Sequence, residues 1–86
     1  MFTVYILHST KKDRFYIGYT GDLITERLRK HNSKHKGFTG NDADWKVVHT
    51  EQYPIKSEAM AREKQIKAWK SRAMIEKLIG AGHSDL

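Results

Sequence analysis

Residues 4–31 have the sequence VYILHSTKKDRFYIGYTGDLITERLRKH, and this stretch decides the fold. Segments 1–9 and 14–20 are rich in β-branched and aromatic residues, and the four residues between them are polar, which predicts an antiparallel hairpin. Asp22 is a preferred N-cap residue, and a helical pattern extends from it to about residue 32. The stretch therefore predicts two strands followed directly by a helix.

We expect the two faces of the hairpin to differ: one carries tyrosine hydroxyl groups, and the other is apolar. We expect a register in which Ser9 pairs with Arg14. Because side chains alternate along a strand, Tyr5 and Tyr16 then lie on the same face. Gly18 interrupts the strand pattern, which indicates a bulge or the close approach of a backbone or ligand. The opposite face holds four residues for packing: Val4, Ile6, Phe15 and Ile17.

The predicted helix carries two polar groups that can act together. Arg27 and His31 are one turn apart, so they can contact the same object. At about 100° per residue they share a face with the apolar residues Leu23, Ile24 and Leu28. We therefore expect both at the rim of the core.

Segment 33–44 is longer than a usual connection, which is typical of a functional loop, although a solvated flexible loop explains it equally well. It contains the glycines Gly37 and Gly40 and the basic side chains Lys34, His35 and Lys36. The alternating segment 45–53 then predicts a third strand that ends at Pro54.

Two further helices are predicted in the last third of the chain. Ser57 is expected to cap the first, which extends to about Lys70, and Ser71 to cap the second, which stops at Gly80. Residues 81–86 are expected to form a frayed tail.

Glu63 is the unusual residue of the first of these helices. On a helical wheel it lies in the apolar arc between Ala59 and Ile66. A carboxylate there is costly unless it is paired or binds a metal ion. Lys70 falls near the same arc, so an ordinary ion pair is one explanation and a metal ligand is the other.

Composition narrows the class of protein. Eighty-six residues form one domain, and the absence of cysteine excludes disulfides and thiolate zinc sites. The net charge of +6 favours polyanionic partners, nucleic acids first. No signal segment or membrane-length apolar run is present, so we expect a soluble, cytoplasmic protein. The histidines lack zinc-like spacing, and no Gly-rich phosphate loop or serine nucleophile motif occurs.

One ordered set of residues resembles the GIY-YIG nuclease domain family, and its small stand-alone bacterial members most closely. Val4 stands where the family signature has its first glycine. The resemblance implies an α+β domain over residues 1–80, with a three-stranded antiparallel sheet flanked by helices in the order ββαβαα. The matching residues are Val4-Tyr5-Ile6, Tyr16-Ile17-Gly18, Asp22-Leu23, Arg27-Leu28, His31-Asn32 and Glu63.

The resemblance also implies roles in divalent-metal-dependent hydrolysis of DNA phosphodiester bonds. Tyr5 is the candidate general base or the relay to one, and Tyr16 orients the water or the phosphate. His31 is a proton shuttle or phosphate donor. The residue types fit this chemistry independently, because Arg27 can bind non-bridging oxygens bidentately. Mg²⁺ or Mn²⁺ needs only one or two protein carboxylates, so Glu63 is the candidate metal ligand.

DNA, branched or linear, is the expected partner, and RNA is an alternative. Five lysines are candidates to hold the strand backbone, although a solvated face explains them equally well: Lys34, Lys36, Lys64, Lys67 and Lys70. No target-selecting segment is expected, which favours structure-selective or weakly specific cleavage, as in DNA repair or recombination. The alternatives are a non-catalytic nucleic-acid-binding module and an interaction subunit that needs a protein partner for activity.

Overall fold

The structure, a computed structural model, describes residues 1–32 and 44–81, and the fold has the predicted ββαβαα order. Residues 33–43, with Lys34, His35 and Lys36, and the tail from residue 82 onward lie outside the described residues. No helix in the described part is long and apolar enough to cross a membrane. The elements are β1 (Phe2–Ser9), β2 (Arg14–Thr20), α1 (Ile24–Asn32), β3 (Trp45–Tyr53), α2 (Lys56–Trp69) and α3 (Arg72–Ala81).

The three strands form one antiparallel sheet with β1 in the centre, in the order β2-β1-β3. Ser9 pairs with Arg14, as expected, and this register places Tyr5 opposite Gly18. The pairing of β1 with β3 shifts between Ile6 and Leu7. Because β1 is covered by a strand on each side and by helices on each face, its middle residues are the most buried of the sheet.

Each face of the sheet has its own apolar cluster. Val4 and Ile6 pack with Ala59 and Ile66 of α2 and with Ile75 of α3, and Phe15 and Ile17 join this cluster. The predicted division of the hairpin faces is therefore confirmed. Val4 is 0% exposed, so the side chain at the glycine position of the signature fills the core.

The second cluster lies on the opposite face of the sheet. It contains Tyr5, Leu7 and Trp45, with Ile24 and Leu28 of α1 packed against them. The sheet therefore separates α1 from α2 and α3. A site that uses both α1 and α2 must lie where the two helices reach past the sheet.

The predicted cap of α1 is wrong. The helix begins at Ile24, and the amides of Glu26 and Arg27 donate to the carbonyl of Leu23. The amide of Asp22 instead donates to Thr20 Oγ1 at 3.0 Å. A local turn thus leaves Asp22 outside the first helical turn.

The predicted cap of α2 is also wrong. Ile55 occupies the N-cap position in an extended conformation without a side-chain hydrogen bond, and Ser57 lies in the first turn. The amides of Glu58 and Ala59 donate to the Ile55 carbonyl, which starts the helix directly after Pro54.

The prediction for α3 holds at its start and fails at its end. Ser71 Oγ accepts a hydrogen bond from the Met74 amide at 3.3 Å, which confirms Ser71 as the cap. The helix continues through Gly80 to Ala81, so Gly80 does not stop it. Within the described residues 1–32 and 44–81, no atom lies within 4 Å of a Cβ built on Gly80, so none of these residues requires glycine there.

A half-buried ion cluster attaches α2 to β3. Glu51, whose side chain is 18% exposed, accepts from Arg62 Nε at 2.9 Å and Nη2 at 3.2 Å. The Tyr53 hydroxyl donates to Glu51 at 2.7 Å, and His49 Nε2 lies 2.8 Å from the same carboxylate. Burial opposes ionisation of Glu51, but the hydrogen bonds of Arg62, His49 and Tyr53 outweigh it and lower its pKa from 4.5 to about 2. Since Arg62 precedes Glu63, the cluster also holds the turn of α2 that carries Glu63.

Replacing this carboxylate tests its contribution to stability. We expect Glu51→Gln to lower the free energy of unfolding by about 2–3 kcal/mol at neutral pH, because Arg62 loses its charged partner. The depressed pKa means that ionised Glu51 stabilises the fold above its usual pKa of 4.5, and that this stabilisation is lost as the pH falls toward 2. Urea denaturation at a series of pH values measures both effects.

The matched control is Glu58→Gln, which changes an exposed carboxylate in the first turn of α2. It should leave the pH dependence of the wild type intact. Parallel pH profiles for Glu51→Gln and the wild type would show that the cluster does not stabilise the ionised form.

Candidate active site

One cavity of ≈ 350 Å³, here called the β2 cavity, collects side chains from both faces of the sheet. Tyr5, Tyr16, Arg27 and Glu63 all line it, so four of the five predicted catalytic residues meet there. The fifth, His31, is not among the lining residues but contacts the Tyr5 hydroxyl. The cavity is also lined by Phe2, Gly18, Tyr19, Thr20, Gly21, Asp22 and Lys56.

Tyr5 is the buried centre of the site and is 1% exposed. Arg27 Nε donates a hydrogen bond to the Tyr5 hydroxyl oxygen at 3.4 Å, and His31 Nε2 lies 3.1 Å from the same oxygen. Arginine has no acceptor, so the Tyr5 oxygen accepts from Arg27, and the phenol proton is donated to His31 in the tautomer whose Nε2 carries no hydrogen. The prediction that Arg27 and His31 act on one object is confirmed for these contacts.

Burial raises the pKa of Tyr5, although the hydrogen bond from Arg27 opposes that effect. Tyr5 is therefore a neutral phenol near neutral pH. Arg27 alone does not turn it into a phenolate, so the protein side chains favour a proton relay over a preformed general base.

Three rings fix the orientation of the contact between Tyr5 and His31. The Tyr16 and His31 ring centroids are 4.5 Å apart, with an interplanar angle of 59°. The Tyr5 ring lies 6.4 Å from Tyr16 and 5.9 Å from His31. Because the His31 ring contacts the rings of both Tyr5 and Tyr16, these two side chains fix its orientation.

Gly18 has a steric reason to be glycine. A Cβ built there would lie 2.6 Å from the Tyr5 hydroxyl oxygen and 2.7 Å from its Cζ. The sequence predicted a bulge or the approach of a backbone or ligand at Gly18, but the group that comes close is the Tyr5 phenol, directly across the hairpin. The missing side chain at position 18 allows the hydroxyl to reach the β2 cavity.

Asn32 positions α1, and sequence reasoning did not identify it as a site residue. Its amide donates to the Trp45 carbonyl at 3.1 Å and accepts from the Trp45 amide at 2.9 Å. Asn32, the residue after His31, thus attaches the end of α1 to the first residue of β3. A donor and an acceptor on one side chain suit this pairing, but nothing in the sequence pattern names the partner.

Glu63 is 20% exposed and pairs with Lys67, with 3.4 Å between Oε2 and Nζ. Of the two explanations for Glu63, the ion pair is present, but its partner is Lys67 and not Lys70, because Lys67 is one turn from Glu63 on the same helix face. Lys67 is 53% exposed, so the pair is weak and a cation can compete for the carboxylate.

The donor set of the β2 cavity fits a hard divalent cation. Glu63 and Asp22 supply carboxylate oxygens to one cavity, and Mg²⁺ or Mn²⁺ uses one or two carboxylates plus water and phosphate oxygens. No group of three His, Cys, Asp or Glu side chains that could hold a metal occurs among the described residues. Sequence reasoning assigned Asp22 to a helix cap and missed its place on the cavity.

The predicted backbone-binding lysines of α2 lie on the surface. Lys64 and Lys67 project from the helix, and Lys70 follows its last residue. Lys56, at the start of α2, lines the β2 cavity and was not predicted as a site residue. Lys34 and Lys36 lie outside the described residues and stay a prediction.

Comparison with known proteins agrees with this architecture. The family model described as the GIY-YIG catalytic domain matches residues 1–77. A UPF0213 protein of Natronomonas pharaonis is 36% identical over 77 residues, which make up 88% of this chain and 87% of that protein. The solution NMR structure of a UPF0213 protein from Bacillus halodurans has a TM-score of 0.60 and 35% identity, covering 94% of this chain and 85% of that chain. The resemblance and the fold that it implied are confirmed.

A methyl group at position 18 tests the contact that holds Tyr5. We expect Gly18→Ala to displace the Tyr5 phenol and to lower the free energy of unfolding by about 1–3 kcal/mol through overpacking. The NMR signals of the His31 ring should shift, because the Tyr5 hydroxyl moves away from Nε2. Gly80→Ala is the control, since a Cβ there meets no atom of the described part of the chain within 4 Å. An unchanged His31 signal in Gly18→Ala would contradict the close approach.

Proposed function

This chain belongs to the GIY-YIG family, and from that premise we propose that it is a divalent-metal-dependent endonuclease that hydrolyses DNA phosphodiester bonds in the β2 cavity. One observation supports this proposal above all. The side chains that line the β2 cavity include Tyr5, Tyr16, Arg27 and Glu63. These residues come from four elements and from both sides of the sheet. Core packing does not require four polar groups to converge in this way.

Arg27 is assigned to the phosphate. Its Nε is engaged by Tyr5, which leaves the terminal guanidinium nitrogens to bind non-bridging phosphate oxygens. A fixed cation at this point stabilises the negative charge that grows on the phosphoryl group during attack. The contact with Tyr5 also links the phosphate to the proton relay.

Tyr5 and His31 are assigned to the proton of the attacking water. Tyr5 accepts that proton on its hydroxyl oxygen while its own proton passes to His31 Nε2, which lies 3.1 Å away. The phenol stays neutral throughout, which agrees with its raised pKa. Tyr16 holds the His31 ring and contributes its hydroxyl to the alignment of the water or the phosphate.

Glu63 is assigned to the metal ion, with Asp22 as a second carboxylate at the same cavity. Mg²⁺ or Mn²⁺ bound there supplies positive charge next to the phosphate. Lys56, Lys64 and Lys67 add sequence-independent attraction for the backbone. The absence of an assigned base-reading element among these residues favours structure-selective cleavage, and DNA repair or recombination is the setting we propose.

Cleavage of branched and linear DNA by the purified protein tests the proposal. With Mg²⁺ or Mn²⁺, we expect Glu63→Gln and Arg27→Ala each to lower kcat/KM by about 10²–10³, the usual loss for a charge-stabilising group. Chelation of the metal should abolish cleavage. Glu58→Gln, an exposed carboxylate on the same helix, should keep wild-type activity.

Each other outcome contradicts the proposal in a distinct way. DNA binding without a metal-dependent product on any substrate indicates a non-catalytic binding module. Cleavage that needs added cell extract indicates a subunit whose activity a protein partner completes. Full activity of Glu63→Gln would remove Glu63 from the metal site.

A further inference from the structure

A second and larger cavity, of ≈ 490 Å³, lies between the turn of the β1–β2 hairpin and the junction of α2 with α3. We call it the hairpin cavity. Its floor is apolar, with Ile17, Ile66 and Ile75. Its rim carries five cationic side chains from three parts of the chain: Lys12, Arg14, Lys67, Lys70 and Arg72.

Part of the charge of this rim is paired within the protein: Lys67 pairs with Glu63, Arg72 pairs with Asp13 and Glu76, and Lys12 also has an interaction partner. The lining contains one carboxylate, Asp13. Arg72 Nη2 donates to Asp13 at 2.6 Å, and His8 lies 3.3 Å from the same oxygen. Arg72, and then His8, hold the pKa of Asp13 below its usual value. The Asp13 carboxylate is therefore committed to Arg72, and it leaves Arg14 and Lys70 to set the sign of the cavity.

Arg14 and Lys70 are the two cations of the rim with the fewest polar contacts inside the protein. Both are exposed, and neither forms an ion pair or hydrogen bond with another residue of the described ranges 1–32 and 44–81. An apolar floor under a rim of one sign concentrates the electric field, which attracts an anion more strongly than scattered surface lysines do. The hairpin cavity thus has the electrostatics of an anion site.

The backbone at this cavity adopts an uncommon conformation at two positions. Asp13 has φ 51° and Lys70 has φ 49°, and these are the positive-φ residues other than glycine in the described part of the chain. Lys70 ends α2, where glycine is the preferred residue. A lysine at this place is less favourable than glycine, because its Cβ is crowded in the left-handed conformation. A cation is therefore present where stability alone favours glycine, which is typical of a ligand-binding position.

The hairpin cavity shares a wall with the β2 cavity. Lys67 lines the hairpin cavity and pairs with Glu63, which lines the β2 cavity. From Glu63 to Lys70 the axis of α2 rises about 10 Å at 1.5 Å per residue. The two cavities are therefore close enough for neighbouring phosphates of one DNA strand to occupy both.

We propose that the hairpin cavity is a second phosphate site, which binds the backbone of the DNA strand next to the bond that is cleaved. The proposal rests on the proposed function, because it takes DNA as the substrate. Arg14 and Lys70 contact the phosphate, and Lys67 lies between the two sites. The site anchors the strand and reads no bases.

Binding measurements without metal test the site apart from cleavage. The double variant Arg14→Gln/Lys70→Gly should reduce the slope of log affinity against log salt by about 2 for duplex DNA, about 1 for each cation removed. Lys77→Gln changes an exposed lysine of α3 that lines neither cavity, and it should keep the wild-type slope. NMR titration with inorganic phosphate should shift the amides of residues 12–14 and 70–72 in the wild type and not in the double variant.

A stability measurement excludes a merely structural effect. Lys70→Gly relieves the positive φ, so its melting temperature should equal or exceed that of the wild type. Weaker DNA binding by an equally stable variant supports the site. A slope that stays at the wild-type value in the double variant overturns it.

Cleavage then separates this proposal from the nuclease proposal. The double variant should raise KM for a strand long enough to span both cavities and leave kcat unchanged. Its activity on bis(p-nitrophenyl) phosphate, which cannot reach the hairpin cavity, should equal the wild-type activity. An unchanged KM for long DNA with normal cleavage overturns the second site alone. Wild-type protein that neither binds nor cleaves DNA overturns both proposals.

Discussion

The burial of one phenol beside one glycine organises the site. Tyr5 lies on the central strand, and its ring occupies the space that a side chain at position 18 would fill. From there its hydroxyl meets Arg27 and His31 of α1. Because the hydroxyl is buried, hydrogen bonds from α1 are needed to satisfy it. The contacts of the Tyr5 phenol with Gly18, Arg27 and His31 thus pack the hairpin and also fix the position of α1.

The two helical layers are attached to the sheet by different means. The uncharged side chain of Asn32 joins α1 to the start of β3 through two hydrogen bonds to the backbone of Trp45. Glu51 and Arg62 join α2 to β3 through a half-buried ion pair with several hydrogen bonds. The rigid sheet lies between them. This arrangement holds Arg27 and Glu63 on opposite walls of the β2 cavity even though α1 and α2 pack on different faces.

Much of the architecture was predictable because it depends on local periodicity. Alternation along the two strands of the hairpin placed Tyr5 and Tyr16 on one face, and the structure has that register. Helical spacing placed Arg27 and His31 one turn apart. The helix caps at Asp22 and Ser57 were wrong, since the preference of a residue type for a cap is weaker than the turn that the neighbouring chain imposes. The partner of Glu63 was wrong for a similar reason, because Lys67 and Lys70 are close alternatives on a wheel.

The sequence by itself determined the order of the elements and the two faces of the hairpin, because each follows from spacing along the chain, and its resemblance to the GIY-YIG family singled out the candidate site residues. Only the tertiary structure decided which of these groups meet. The contact of Tyr5 with Gly18, the attachment of Asn32 to Trp45 and the place of Asp22 and Lys56 on the β2 cavity all join segments that are distant in sequence or set by a turn. Such contacts depend on how the sheet and helices pack in three dimensions, and no local periodicity carries that information.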